Sequence, residues 1–257
     1  NIRISIPESR KWQKNTLRAF MSPGRITDKF KKRYNAFIFY NKGEKICKNK
    51  AKIRISGDLK DHIKYINRSL ISSLDVTLKS GSINGVKKFK LFLPQTRNSE
   101  NEVFTANLFT ELGLLSPRTR IINVSINNTK SKMIFQEKLA KELVENNMLR
   151  ESVLIRTNDS IMWELRKDVP GQFNSFVYPG IINNKWLLKG DPNLKIGIRA
   201  LNRLSMVLAE STQGFINKDV PVNLKLLNGA EKNNQIISDL KYTNEQRFRK
   251  KSYRTYL

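Results

Sequence analysis

At 257 residues the chain is long enough to bury a sizeable core in one large domain or two small ones. Its 39% hydrophobic content is low, yet the apolar residues come in periodic blocks, which argues against general disorder. The formal charge of +26 predicts attraction to nucleic acid, anionic lipid or an acidic protein, while no apolar run approaches the roughly 20 residues of a membrane helix.

Asn1 stands where an initiator Met is usual, so a fragment or processed product is expected. One cysteine, Cys47, excludes an internal disulfide framework, and with His62 the only histidine no zinc ligand set is visible. Lys, Asn and Ile are all abundant, the mix expected of an AT-rich coding sequence, and most lysines are scattered. Two basic clusters stand out, 29–33 and 247–254, the latter reading RFRKKSYR. None of the short motifs of nucleic-acid modules appears, so nucleic acid is not expected as the primary partner.

The chain opens with Ile2, Ile4 and Ile6 in alternation, followed by Pro7 and a loosely helical arm carrying Trp12, Leu17 and Phe20. Residues 36–40, AFIFY, read as a strand; 41–43 supply the turn, and 51–56 return with Ile53 and Ile55 alternating. Residues 63–70 are ambiguous. LDVTLK at 74–79 alternates again, 81–85 turn, and 89–93 close a strand that Pro94 stops. The first hundred residues predict an antiparallel meander of four or five strands.

Asn101 is suited to cap a helix whose Phe104, Leu108 and Leu112 share one face, with Gly113 and Pro117 ending it. Residues 121–126 and 133–135 predict a hairpin turning at Asn127 and Asn128, which tolerate positive φ. A helical pattern starts at Lys138. Beyond Asn147 a short strand at 153–156 and a helical turn or two at 162–167 are expected. Asp191 and Pro192 open a further helix, expected to end near Glu210 with Gly214 as its breaker. The polar remainder predicts one more helix before the basic end. The expected organisation is an arm at 1–33, a strand-rich lobe at 34–137, and a helical lobe at 138–257 with a basic tail.

RISGD at 54–58, the strands at 74–79 and 89–93, Arg97, ELGL, PRTR at 117–120, the hairpin, and QEK at 136–138 leading into KELVE occur in this order. This series resembles the spore coat protein H (CotH) kinase-like family between about residues 36 and 156, PRTR with the hairpin and QEK being the most specific part. The resemblance implies an α+β, protein-kinase-like fold: an antiparallel strand-rich N-terminal lobe over a helical C-terminal lobe, here expected to be incomplete. It implies an atypical kinase that uses ATP and Mg to phosphorylate a protein or another hydroxyl acceptor.

Phosphoryl transfer is chiefly positioning and charge neutralisation, so the template needs a phosphate-binding cation, a carboxylate to hold it, and metal-binding carboxylates. Lys79 and Lys88 are the candidate cations, with exposed strand lysines as the plain alternative. Glu111, or else Glu102, is the candidate partner. The family's Lys-Lys-Ser-Tyr type strand is replaced by Ser72, Ser73 and Leu74. QEK is the candidate hinge, where backbone meets an adenine ring or Glu137 accepts hydrogen bonds that fix the lobes. A plain helix N-terminus is the alternative.

Glu142 and Glu145 lie near one helix face as solvated residues unless a third ligand joins them. Asp239 and Asn244 have the spacing of a kinase catalytic loop, but no His-Arg precedes and no DFG-like segment follows. Asp219 is a weaker candidate. The alternative function is a non-catalytic basic module that binds an acidic partner or nucleic acid.

Overall fold

In the computed structural model, residues 1–66, 69–158 and 178–217 are described. They divide into two units: Asn1–Leu112 with Pro117–Asn146, and Gly113–Ser116 with the described residues from Asn147 onward.

The first unit is a closed seven-stranded barrel. Its strands are β1 (Ile2–Ser5), β2 (Tyr34–Lys42), β3 (Lys45–Ile55), β6 (Leu74–Leu78), β7 (Lys88–Phe92), β8 (Thr119–Ile126) and β9 (Thr129–Glu137), in the order β1-β2-β3-β6-β7-β9-β8. A separate two-stranded ribbon joins β4 (Ile63–Ile66) to β5 (Ser69–Ser72). Every barrel pair is antiparallel except β1 with β8, which run parallel with Ile2 opposite Val124 and Ile4 opposite Ile126.

That seam corrects the expected architecture. A kinase-like lobe with an open antiparallel sheet does not form; the N-terminal strand, expected to belong to an arm, inserts between β2 and β8 and closes the sheet on itself. Closure pairs strand edges that an open sheet would leave with unsatisfied amides. Asn127 completes the seam, its Oδ1 accepting from Ile6 N at 2.7 Å and its own N–H donating to Ile4 O at 2.9 Å. Asn127 and Asn128 have φ of 44° and 72°, as the predicted hairpin requires.

Alternation fills the barrel. Ile4, Ile38, Ile53, Val76, Phe89, Leu91, Met133 and Phe135 are each at most 2% exposed and belong to one core cluster. Phe89 and Phe135 stack with centroids 4.7 Å apart. The interior is therefore a packed core and not a channel. Helix α1 (Ser9–Met21) buries Trp12, Thr16 and Ala19, a stripe at intervals of four and three, and Trp12 meets Tyr34 edge-on at 5.2 Å.

Helix α2 (Glu100–Glu111) begins one residue before the expected Asn101 cap. Its Ala106 and Phe109 are buried, whereas Phe104, Leu108 and Leu112 are exposed, so the expected apolar stripe is not the buried face. Gly113 follows with φ 68°. Helix α3 (Lys141–Glu145) is shorter than the helical pattern from Lys138 suggests, because Lys138 continues the β9 ladder through its N–H to Lys88 O at 2.9 Å.

In the second unit β10 (Ile155–Asn158) pairs with β11 (Tyr178–Ile181), followed by α4 (Asn184–Leu187) and α5 (Asp191–Asn217). Val153, Ile155, Trp186, Ala200 and Leu204 form its core. Helix α5 runs through Gly214 to Asn217, past its expected end. Among the described residues no helix is long and apolar enough to cross a membrane.

Candidate functional site

Two regions of the barrel's outer surface carry the polar chemistry. On the first, the ladder sets Arg54, Asp75, Lys90 and Gln136 side by side across β3, β6, β7 and β9. Asp75 is 2% exposed yet charged, and two cations meet it: Arg54 donates from Nε at 3.3 Å and Nη2 at 3.1 Å, Lys138 from Nζ at 3.0 and 3.2 Å. Burial pushes the Asp75 carboxyl up, but Lys138 and then Arg54 pull it further down, so it rests below the ordinary carboxylate range. Gln136 donates to Glu102 of α2 at 2.5 Å, so Glu102 serves the hairpin strand.

Glu137, 3% exposed, has the inward parity of Met133 and Phe135 at the end of β9. Arg118 of PRTR clamps it bidentately, Nε to Oε2 at 2.8 Å and Nη2 to Oε1 at 3.1 Å. The two most specific pieces of the sequence pattern thus meet in one ion pair, which ties β8 to β9.

The other sequence candidates are dispersed. Lys88 faces Glu142 at 3.7 Å, and Glu142 Oε2 is buried without a hydrogen-bond partner among the described residues. Lys79 is exposed, its N–H bonded to Lys50 O at 2.8 Å, and Glu111 is exposed at the end of α2. Neither makes an ion pair among the described residues. Glu145 pairs with Lys141 at 3.1 Å. Asp219, Asp239 and Asn244, with the helical turn or two expected at 162–167, the last expected helix and the basic end, lie outside the described residues.

RISGD serves the fold. Gly57 has φ 99°, and a Cβ there would lie 2.0 Å from the His62 ring. His62 Nδ1 stands 3.0 Å from Ser73 Oγ, which accepts from Leu93 N–H at 3.0 Å and can donate its own proton to a neutral imidazole. Burial lowers the His62 pKa in agreement with that arrangement. Ser73 is fully buried, so this pair is structural. Asp58 pairs with Lys31 and, at 3.4 Å, with Arg25, which partly neutralises the basic cluster at 29–33. Burial raises the Asp58 carboxyl, and Lys31 followed by Arg25 and His62 together more than offset it, leaving its pKa lowered.

Magnesium requires several oxygen ligands in an octahedral array. Among the described residues no group of three His, Cys, Asp or Glu side chains is placed to hold a metal. With Asp75 and Glu137 already engaged by cations, the described residues do not fit a magnesium site.

The second region escaped the sequence reading. Lys130, Ser125, Arg3, Phe39 and Lys48 stand in one register row across β9, β8, β1, β2 and β3. Their inward neighbours Ile2, Ile4, Ile38, Val124 and Ile126 are buried, which turns this row outward. The Arg3 guanidinium lies 4.4 Å over the Phe39 ring, and Lys48 Nζ lies 4.5 Å over Phe37. Beside the row is a depression of about 650 Å³ whose lining includes Arg3, Phe39, Ile46, Lys130 and Lys132 and no carboxylate. Arg3, Lys48, Lys130 and Lys132 make no ion pair among the described residues. The available signal was the outward half of the alternation, Arg3 in IRIS and Phe37 and Phe39 in AFIFY, but only the barrel seam puts those residues together.

No family model matches the chain, and no curated protein matches it.

Proposed function

We propose that the chain is a non-catalytic binding protein for a polyanion, held on the outer face of β9, β8, β1, β2 and β3. The observation that supports this reading is the register row of Arg3, Lys48 and Lys130 around Phe39, with Lys132 in the neighbouring outward row and no carboxylate lining the depression beside them. Four cations without local counter-charges attract a phosphate polymer and release its condensed counterions on contact. Arg54, Lys138 and Arg118 are already paired with buried carboxylates and offer less to an external anion.

The test uses the full chain with a fluorescein-labelled random 30-base-pair duplex. Binding at low salt should weaken steeply as salt rises, with a log–log slope of about −3 to −4 for four phosphate contacts. Arg3→Glu with Lys130→Glu and Lys132→Glu should abolish most of it. No binding at about 0.05 M salt, or undiminished binding by the triple variant, removes this reading.

A second reading is the ATP-dependent phosphotransfer that the family resemblance implies. Its supporting observation is the Lys88–Glu142 approach at 3.7 Å beside Lys138, a lysine and a carboxylate adjoining the QEK link. Calorimetry with ATP and magnesium on the wild type and on Lys88→Ala tests it; absence of heat in the wild type eliminates it.

A further inference from the structure

We propose that the polyanion is single-stranded nucleic acid, with bases stacking on the Arg3–Phe39 pair and phosphates following Lys48, Lys130 and Lys132; this rests on the polyanion reading above. A duplex or an acidic polypeptide needs cations alone. What distinguishes this face is an aromatic ring, Phe39, placed between two cations in one register row, with Phe37 in the neighbouring one. Phe39 lies directly between Arg3 and Lys48 in the ladder, and Phe37 occupies the neighbouring outward position between Ser5 and Lys50. Exposed bases present flat π-faces that stack on aromatic rings or on guanidinium planes, and stacking is indifferent to sequence.

The dimensions agree. Five strands at about 4.8 Å spacing carry the row over about 19 Å, which gives a track for several nucleotides. The depression of about 650 Å³ beside Arg3 and Phe39 falls in the size range of sites that enclose small organic groups. Ile46, 69% exposed at its edge, adds apolar surface for a base or sugar. Nothing here forms a contiguous sequence motif, because the platform is assembled from five strands. That is why the absence of short recognition motifs does not exclude it.

The experiment measures anisotropy of labelled 15-nucleotide oligo-dT and oligo-U, a 15-base-pair duplex, and poly-glutamate against the full chain and its variants. The expected result is tighter binding of the single strands than of either competitor. Phe39→Leu should weaken single-strand binding about tenfold and change duplex binding less than about twofold, and Phe39→Trp should restore it. Lys130→Glu with Lys132→Glu should weaken single strands and duplex together, and thermal melts establish that each variant is folded. Equal binding of duplex and single strands with no effect of Phe39→Leu overturns the proposal and leaves the polyanion reading standing. Preferential binding of poly-glutamate also overturns it, in favour of an acidic protein partner. Failure of every probe to bind overturns both.

Discussion

The two outward regions of the barrel share strands β3 and β9 but treat charge in opposite ways. Around Asp75, and at the inward-facing Glu137 at the end of β9, each carboxylate is 3% exposed or less and is matched by cations that are 30 to 43% exposed on their own side chains. Around Phe39, cations project from three strands, β1, β3 and β9, with no carboxylate lining the depression beside them. A buried charge must be compensated within the protein because water cannot solvate it, whereas an exposed lysine is solvated with or without a partner. The first region is thus committed to holding strands together, and the second is available to an external anion.

The strongest way to break this contrast is Asp75→Ala. It leaves Arg54 and Lys138 without their shared carboxylate at the centre of three strands, and a loss of about 3 kcal/mol is expected in urea unfolding followed by circular dichroism. Glu137→Gln should cost about 2 kcal/mol by the same measurement, since a neutral amide cannot satisfy both Arg118 contacts. Neither change should alter affinity for oligo-dT. If either carboxylate proves as dispensable as a surface lysine, the distinction between the two regions collapses.

Acid offers a graded version of the same test. The His62 pKa is lowered by burial, so its contribution is present above the unfolded value of about 6.5 and is lost as pH falls through the folded value. Asp75, also lowered, contributes above about pH 3.9 and loses that contribution as pH falls through its still lower folded pKa. Stability measured from pH 8 to pH 2 should therefore decline in two stages, and Asp75→Asn should remove its part of the lower one. A flat profile would contradict the assigned protonation states. The smallest effect belongs to the other face, where Lys130→Ala should change stability by less than about 0.5 kcal/mol while weakening polyanion binding.

Much of the local structure was legible. The isoleucines of IRIS, the AFIFY strand, LDVTLK and the Asn127–Asn128 turn all signal their conformation through alternation or tolerance of positive φ. Legibility failed where tertiary contacts override local pattern. The strand β3 begins at Lys45, well before the alternating part at residue 51, because β2 pairs with its polar half. The stripe of Phe104, Leu108 and Leu112 has helical spacing, yet Phe109 and Ala106 are what α2 buries. Lys88 and Glu142 were both visible as charged residues, but their approach depends on how Lys138 extends the β7–β9 ladder.

Sequence alone determined the strand alternation, the hairpin turn and the excess of positive charge, since each depends on residue type and near neighbours. Tertiary structure decided that Ile2–Ser5 would close a barrel against a strand more than a hundred residues away. That pairing is invisible to local periodicity, because the same alternating strand satisfies an open sheet and a closed one equally well. It also decided which charges would be spent on each other. Arg54 and Arg3 look alike in the sequence; only the register puts Asp75 beside one and Phe39 beside the other.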